Sequence, residues 1–179
     1  MNNNLLILGA GVYGMMAKEI AISMKYFDKI DLLDDNSALA IGCLTDYKKY
    51  SGEYAYTAVA IGDADIRLRW IEKLSKTFLH VAILISPQAY VSPSAVVKKG
   101  SIIEPMAVIQ TNTELSVGVI VSAGAVVGHN VFIGDGCHIN CGFVVRPNSV
   151  ILAGTKMGFG EVAGQDKQKF LKDKAEATV

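Results

Sequence analysis

The chain has 179 residues, enough for one large domain or two small ones with a buried core. Seventeen basic residues balance seventeen acidic ones, so its charge gives no reason to expect nucleic acid or an anionic membrane as a partner. Apolar residues make up 51% of the chain, but no run reaches the roughly 18 residues of a membrane-spanning helix. The first residues lack the basic region of a signal peptide, and three cysteines without a C-x-x-C pair are typical of reduced thiols. We therefore expect a cytoplasmic protein.

Residues 1–84 alternate between predicted strands and predicted helices. NLLILG predicts a strand, VYGMMAKEIAISMKY a helix, and KIDLLDD and YTAVAIG two further strands. DADIRLRWIEKLSKT predicts a second helix with Asp63 as its N-cap, and FLHVAILI predicts a fourth strand. The expected apolar face of the second helix consists of Ile66, Trp70, Ile71 and Leu74. This alternation predicts an α/β domain with a small Rossmann-like parallel sheet covered by helices.

A glycine-rich turn joins the first strand to the first helix, with Gly9, Gly11 and Gly14 spaced as in G-x-G-x-x-G. Glycines there allow a tight turn and let backbone amides at the helix N-terminus approach a phosphate. Asp34 and Asp35 end the second strand about twenty residues further on, as in a dinucleotide-binding fold. Alone, the motif suggests NAD, but the segment is about half as long as a full dinucleotide fold. An alternative is that the glycines only permit close packing of strand and helix.

From Ile85 the pattern changes to a repeat of six residues. A short strand followed by a tight turn forms one flat face, and three such faces close a coil of 18 residues with its bulky side chains inside. Stacked coils lie about 4.8 Å apart and share backbone hydrogen bonds. The repeat predicts a parallel β-helix of about four coils over residues 85–162, followed by a tail over 163–179 that is helical from about Gln165. The predicted inward residues are Ile85, Val91, Val97, Ile103, Ile109, Leu115, Val121, Val127, Ile133, Ile139, Val145, Ile151 and Met157.

Five stretches together resemble the sugar acetyltransferases of the PglD/NeuD type: LLILGAGVYG, LLDDN, VAIGDADIRLR, LISPQAYVSPSAVV and AVVGHNVFIGDGCHI. That family joins a small nucleotide-sugar-binding α/β domain to a left-handed β-helix that uses acetyl-CoA. The resemblance implies a left-handed coil, a homotrimer, and acetyl-CoA as cosubstrate with no metal. It also implies N- or O-acetylation of a nucleotide-linked amino or deoxy sugar for surface glycan synthesis.

The same resemblance implies where the nucleotide sugar binds. A UDP-sugar diphosphate would lie over the glycine-rich turn, one of the two aspartates would reach the uracil or ribose, and the end of the third strand would line the same crevice. The family often has Gly-His or Ser-His where this chain has Val and Tyr. The implied binding residues are Gly11, Val12, Tyr13, Gly14, Asp34, Asp35, Gly62 and Asp63.

Two histidines match functional positions of the family. His129, in HNVFIG, matches the catalytic base, and Asn130 stands where the family has an acidic residue; its amide oxygen is able to accept from the ring N–H. His138 matches a histidine near the acetyl group. Nine residues are half a coil, so the two histidines lie on different sides of their own β-helix and converge only across a subunit boundary. We expect both imidazoles on the outer seams between copies.

Other positions depart from the family and leave a second function open. Pro147 stacks one coil above His129, where the family places a glycine whose N–H stabilises an oxyanion, and proline has no N–H. Alternatively, FVVRPNSVILAG aligns with the family's last coil, in which case a coil is missing between His138 and Phe143. The protein is then either an active acetyltransferase or a catalytically diverged, trimeric sugar-nucleotide-binding protein of the same fold.

The phosphates of CoA also have candidate partners in the sequence. Five lysines either contact these phosphates or lie on a solvent-exposed helix face. The second role is the usual one for such residues. The lysines concerned are Lys156, Lys167, Lys169, Lys172 and Lys174.

Overall fold

The structure is a computed structural model and describes residues 2–166. Strand β1 (Leu5–Leu8), whose four side chains are all buried, lies inside a parallel sheet of order β2-β1-β3-β4. Its partners are β2 (Ile30–Leu33) and β3 (Tyr56–Val59), and β4 (His80–Val81) pairs with β3. The Rossmann-like sheet that the sequence predicts is therefore confirmed.

Three α-helices and one short 3-10 helix accompany this sheet. Helix α1 (Val12–Ser23) starts from the glycine-rich turn, and a 3-10 helix (Leu44–Asp46) leads into the short helix α2 (Tyr47–Tyr50). Helix α3 (Ala64–Leu74) begins at Asp63, whose Oδ1 accepts a hydrogen bond from the backbone N–H of Ile66 at 2.8 Å. The predicted N-cap is therefore confirmed.

The buried face of α3 differs from the expected one at its first turn. Ile66 is 38% exposed, whereas Arg67 is fully buried together with Ile71 and Leu74. Residues spaced by four and three lie on one side of a helix, so the position of Arg67 belongs to the buried stripe. The apolar pattern misassigned this position because it treats every arginine as a surface residue.

The predicted fourth strand is divided between two sheets. His80–Val81 completes the N-terminal sheet, but β5 (Leu84–Ile85) already pairs with the β-helix. From Leu84 to Ile133, each strand pairs in parallel with the strand 18 residues further on; Val121, for example, aligns with Ile103 and Ile139. The next strands are β6 (Tyr90–Val91), β7 (Val96–Val97), β8 (Ile102–Ile103), β9 (Val108–Ile109), β10 (Glu114–Leu115), β11 (Ile120–Val121), β12 (Val126–Val127), β13 (Phe132–Ile133), β14 (His138–Ile139), β15 (Val144–Val145), β16 (Ser149–Ile151) and β17 (Val162–Ala163).

These strands form a left-handed parallel β-helix with three faces. The first face is β5-β8-β11-β14, the second is β6-β9-β12-β15-β17, and the third contains β7, β10, β13 and β16. The inward residues from Ile103 to Ile151 are buried in one apolar core, and Ile85, Val91, Val97 and Met157 pack against its two ends. The interior that the six-residue repeat predicts is confirmed. Val121 on β11 pairs with Ile139 on β14, and Val127 on β12 pairs with Val145 on β15, so the 18-residue register continues past His138. A coil missing relative to the family stays a prediction.

Each corner of the β-helix contains a residue in the left-handed conformation, at every sixth position from Gly100 to Gly160. Glycine adopts this conformation without strain, and asparagine tolerates it better than most residues. Asn130, with φ of 57°, occupies one of these corners. The turn therefore explains why an asparagine is acceptable beside His129. The corner residues are Gly100, Met106, Asn112, Gly118, Gly124, Asn130, Gly136, Gly142, Asn148, Gly154 and Gly160.

At the C-terminal end of the described chain, β18 (Gln165–Asp166) pairs antiparallel with β16. The helix predicted from about Gln165 is therefore wrong for these two residues. The third face ends at β16, and the backbone groups at this open edge pair with β18 instead. Residues 167–179, including the lysines of the tail, lie outside the described part. Among residues 2–166, no helix is long and apolar enough to cross a bilayer.

The two halves pack together through the first face of the β-helix. Its outward residues Leu84, Ile102 and Ile120 join the apolar core between the N-terminal sheet and helix α1. The next outward position in this 18-residue column is His138, on β14. The docking of the halves thus places this histidine against the N-terminal domain.

Candidate active site

A cavity of about 490 Å³ lies between the two halves. The N-terminal half lines it with residues 62–65, at the end of the third strand and the start of α3. The β-helix lines it with Gly136, His138, Gly154 and Lys156. The structure thus brings together Gly62 and Asp63, predicted to line a nucleotide crevice, and His138, predicted to lie near the reacting group.

Tyr13 connects the glycine-rich turn to this cavity. Its ring meets the ring of His138 edge-on, with centroids 5.5 Å apart and planes at 77°. It also packs on Gly62, where an added Cβ would lie 3.0 Å from the tyrosine ring. Burial raises the pKa of Tyr13, so its hydroxyl stays protonated. Its neighbour Val12 is 76% exposed at the start of α1.

The three glycines of the turn have different surroundings. A Cβ on Gly9 would lie 2.7 Å from the carbonyl oxygen of Ala60, and one on Gly14 would overlap the carbonyl of Gly9. Close packing therefore accounts for these two glycines. Gly11, the N-cap of α1, has no atom within 4 Å of an added Cβ. Open space at a helix N-terminus suits a phosphate, so Gly11 is the glycine that close packing does not explain.

The two aspartates at the end of β2 hold neighbouring loops. Asp34 accepts from the backbone N–H of Ala10 with one oxygen and from that of Asn36 with the other, both at 2.8 Å. These hydrogen bonds lower the pKa of Asp34. Asp35 accepts from the N–H of Leu44 at 2.9 Å through one oxygen. A contact of either aspartate with a nucleotide stays a prediction.

His138 is nearly fully buried, with 2% of its surface exposed. The sequence predicts it on an outer seam, but Tyr13 and the cavity wall of its own chain cover it. Its Nε2 lies 3.0 Å from Oγ of Ser122, and its buried Nδ1 has no hydrogen-bond partner among residues 2–166. Burial, followed by the charges of Lys156 and Arg67, lowers the pKa of His138 to about 4. The ring is therefore neutral at physiological pH.

Sequence reasoning missed Glu104 and Ser122, which lie behind His138. Oε1 of Glu104 is 3.1 Å from Oγ of Ser122, and Oε2 accepts from the backbone N–H of Ala123 at 2.9 Å. Burial raises the pKa of Glu104, although both hydrogen bonds oppose the rise. One signal for this cluster exists in the sequence: a column of polar residues 18 apart, each directly after an inward aliphatic residue, and all of them are buried. Its members are Ser86, Glu104, Ser122 and Asn140.

Arg67 was also missed. Its guanidinium donates to the carbonyl oxygens of Ile61 and Gly62 in the N-terminal half, and to those of Gly118 and Gly136 in the β-helix, over 2.7–3.0 Å. Burial lowers its pKa, but four carbonyl acceptors compensate the buried charge. Arg67 thus fixes the crevice of the sheet to the corner that precedes His138.

His129 lies away from this cavity, at the exposed corner after β12 on the second face. Its Nδ1 is 3.2 Å from Nδ2 of Asn130. Asn130 belongs to a ladder in which Asn112 donates to Asn130 at 3.4 Å and Asn130 donates to Asn148 at 3.0 Å. The amide nitrogen, and not the expected oxygen, therefore faces the ring. With this ladder direction, Nδ1 of His129 accepts and the ring proton sits on Nε2.

Pro147 lies in the coil next to His129, as expected. A Cβ on Gly128 would be 2.7 Å from the backbone nitrogen of Pro147, and the N–H of Asn148 donates to the carbonyl of His129 at 2.9 Å. The N–H of Arg146 donates to Ala163 at 2.9 Å. Residues 146–148 therefore offer no free backbone N–H to an oxyanion beside His129.

Within residues 2–166, no group of three or more histidine, cysteine or acidic side chains is arranged to hold a metal ion. Cys43, Cys137 and Cys141 are free thiols, and only Cys137 of the three is buried. The candidate site is therefore built from two separate parts: the interdomain cavity with His138, and the exposed corner with His129.

Residues 4–74 match the family described as PglD N-terminal domain. No curated protein sequence matches the chain. Among solved structures, the acetyltransferase domain of PglB from Neisseria gonorrhoeae is 24% identical, with a TM-score of 0.72 over 92% of this chain and 93% of that chain. The same domain in complex with acetyl coenzyme A is 25% identical, with a TM-score of 0.66 and 93% of each chain covered.

A second neighbour is PerB from Caulobacter crescentus, solved in complex with CoA and GDP-perosamine. It is 21% identical, with a TM-score of 0.73 over 91% of this chain and 89% of that chain. Over this coverage, both neighbours share the overall fold of the chain. Residues 4–74 thus match the PglD N-terminal domain, and the chain as a whole has the fold of these acetyltransferase structures.

Proposed function

We propose that this protein is an acetyl-CoA-dependent acetyltransferase in the cytoplasm, with a nucleotide-linked amino or deoxy sugar as acceptor and surface glycan synthesis as its role. One observation carries the proposal: the end of the third strand, which forms the crevice of the α/β domain, shares a single cavity with His138 of the β-helix. A ligand anchored by its nucleotide in the crevice would extend its sugar toward that histidine. The ligands in the neighbours' structures, acetyl coenzyme A in one and CoA with GDP-perosamine in the other, support this assignment.

The nucleotide sugar would bind along the carboxyl edge of the parallel sheet. Its diphosphate would lie at Gly11, where the N-terminus of α1 is open and offers unpaired amides. Tyr13 would separate the diphosphate from the sugar, because its ring lies between Gly62 and His138. Lys156, exposed at the rim of the cavity, would meet a phosphate of CoA.

A homotrimer would complete the site. The second face presents an outward column of apolar residues that the described chain leaves exposed or half-exposed. Tyr90 and Val162, at its two ends, are 57% and 54% exposed. Such a column favours packing against other copies. Because His129 follows β12 on this face, packing would bring it to the cavity of a neighbouring copy. The column is Tyr90, Val108, Val126, Val144 and Val162.

The reaction would be a direct transfer. The acceptor nitrogen or oxygen attacks the thioester carbonyl, a C–N or C–O bond forms, the C–S bond breaks, and the CoA thiolate takes up a proton. His129 would remove the proton of the acceptor through Nε2. This requires the tautomer with the proton on Nδ1, so Asn130 would have to turn its oxygen toward the ring. Neither Cys137 nor Cys141 is assigned a covalent role.

The direct test measures CoA release from acetyl-CoA with nucleotide-linked 4-amino sugars as acceptors. The wild type should release CoA, and His129→Ala should reduce the rate by about a hundredfold or more. His80→Ala, a histidine on the exposed edge strand β4, serves as the control and should leave the rate unchanged. Equal rates in wild type and His129→Ala would refute the assigned base.

A second function is favoured by the absence of a free N–H at Pro147 and by the direction of the asparagine ladder. In this alternative, the protein is a catalytically diverged, trimeric sugar-nucleotide-binding protein. Thermal unfolding with UDP, nucleotide sugars or acetyl-CoA separates the two. Stabilisation by nucleotides but not by acetyl-CoA, without CoA release, would establish the binding protein.

A further inference from the structure

Three buried polar side chains form a continuous hydrogen-bonded chain behind the cavity: Glu104, Ser122 and His138. Their exposed fractions are 5%, 3% and 2%. The chain runs from the carboxyl oxygen Oε1 to the serine Oγ at 3.1 Å and from there to Nε2 of the imidazole at 3.0 Å. A serine hydroxyl has one proton, so it donates to only one of its two neighbours at a time.

The acceptors determine the direction of this chain. Oε2 of Glu104 accepts from the N–H of Ala123, and as a carboxylate Glu104 also accepts at Oε1. Ser122 must then donate to Glu104 and accept from Nε2–H of His138. The imidazole therefore has its proton on Nε2 and a lone pair on Nδ1.

The surroundings of Nδ1 lead independently to the same tautomer. This nitrogen is buried and has no partner among residues 2–166. A buried N–H without an acceptor is rarer in folded proteins than an under-satisfied acceptor. The tautomer with an unprotonated Nδ1 avoids an orphaned N–H.

We propose that Glu104 and Ser122 are positioning residues that set the tautomer of His138, so that Nδ1 accepts a hydrogen bond from an N–H or O–H group of the acceptor sugar. The ligand part of this inference rests on the proposed function, whereas the tautomer is a property of the free protein. A histidine of this kind would select acceptors that present a donor to it, since a neutral ring offers no proton on that side. The low pKa of His138 keeps the ring neutral and preserves this selectivity.

Glu104→Gln provides a sharp test because the backbone fixes the orientation of the new amide. The N–H of Ala123 requires an oxygen at the position of Oε2, so the amide nitrogen must face Ser122. Ser122 would then accept from the glutamine and donate to Nε2 of His138. The substitution should therefore move the ring proton from Nε2 to Nδ1 without changing the size of the side chain.

The measurement is ¹⁵N NMR of histidine-labelled protein, which distinguishes protonated from unprotonated ring nitrogens. The chain has three histidines, and His138→Gln assigns the signal. In the free wild-type protein Nδ1 of His138 should be the unprotonated nitrogen, and in Glu104→Gln it should be the protonated one. A wild-type ring protonated at Nδ1, or identical spectra for the two proteins, overturns the inference.

Two further variants provide a second test and a control. Ser122→Ala breaks the chain, so the His138 signals should show a mixture of tautomers even if Glu104→Gln does not fold. Ser101→Ala is the matched control: it also removes a buried hydroxyl of the β-helix, but one bonded to the carbonyl of Ser116. It should leave the His138 spectrum unchanged, and a changed spectrum would count against a specific role of the chain.

Kinetics test the ligand part. Glu104→Gln should lower kcat/KM for the acceptor sugar by about tenfold and leave KM for acetyl-CoA unchanged. If Glu104→Gln reverses the tautomer of His138 but leaves kcat/KM for the acceptor sugar unchanged, the proposed contact between Nδ1 and the sugar is wrong. If the wild type transfers acetyl to no nucleotide sugar, the proposed function fails while the NMR result still decides the tautomer.

Discussion

Nη2 of Arg67, on a helix of the N-terminal domain, donates to the carbonyl oxygen of Gly136 at 2.7 Å, two residues before His138. This guanidinium has backbone carbonyls as its hydrogen-bond partners and is fully buried. The Arg67 guanidinium therefore hydrogen-bonds to four backbone carbonyls, two in each half of the molecule. The geometry of the cavity thus depends on one side chain.

Arg67→Lys should destabilise the protein by about 3 kcal/mol, because an ammonium group cannot reach four carbonyls and leaves buried acceptors unpaired. Chemical denaturation measures this difference. Arg69→Lys, an exposed arginine on the same helix, is the matched control and should change the free energy of unfolding by less than about 0.5 kcal/mol. Equal stabilities of the two variants would show that the four hydrogen bonds do not contribute.

Asn130→Asp should increase kcat by about tenfold. An aspartate tolerates the left-handed corner, accepts from Nδ1–H of His129 and leaves Nε2 free to take a proton. Steady-state CoA release measures the effect. Asn2→Asp introduces the same change at an exposed asparagine outside the ladder and should leave kcat as it is. A lower kcat in Asn130→Asp alone would mean that the ring acts in the tautomer with its proton on Nε2.

Stability should fall on acidification because His138 is buried in its neutral form. Its folded pKa of about 4 lies below the ordinary value of 6.5, so the unfolded chain binds the proton first. The contribution is complete above pH 6.5 and is lost as the pH falls toward 4, by about 3 kcal/mol in total. Urea unfolding of the wild type and of His138→Gln between pH 4 and 7 measures it. The variant should lack this part of the pH dependence, whereas His80→Gln should retain it.

Val126→Glu should convert the proposed trimer to monomers and abolish CoA release, because it places a charge in the middle of the apolar column on the second face. Analytical ultracentrifugation measures the mass. Ile22→Glu introduces the same charge at an exposed apolar position of α1, 58% exposed, and should stay trimeric. A monomeric wild type with full activity would remove the intersubunit site.

Mixed trimers test whether His129 and His138 act from different copies. His129→Ala and His138→Ala should each be inactive alone. Unfolding and refolding the two variants together in equal amounts should restore about a quarter of the wild-type rate. This is the share of interfaces that combine an intact His129 from one copy with an intact His138 from the other. No recovery, with trimers present, would place both histidines of one site in the same chain.

The six-residue repeat predicted most of the fold correctly because the interior of a β-helix admits one aliphatic side chain per strand, and this demand recurs along the chain. Ile103, Val127 and Ile139 all face the core as expected. Two predictions outside this repeat were wrong: the apolar pattern of α3 left Arg67 off the buried face, and Gln165–Asp166 were predicted to be helical. In both places the outcome depends on unpaired backbone groups that come from distant parts of the chain.

The amino-acid sequence by itself determined the two-part architecture, the inward residues, the glycine-rich turn and the two histidines, because each follows from local periodicity or spacing. The packing of the two halves decided the rest. It buried His138 against Tyr13, linked it to Ser122 and Glu104, and left His129 on an exposed corner. Burial, desolvation and hydrogen-bond direction arise between residues far apart in the chain, and no spacing within one strand encodes them.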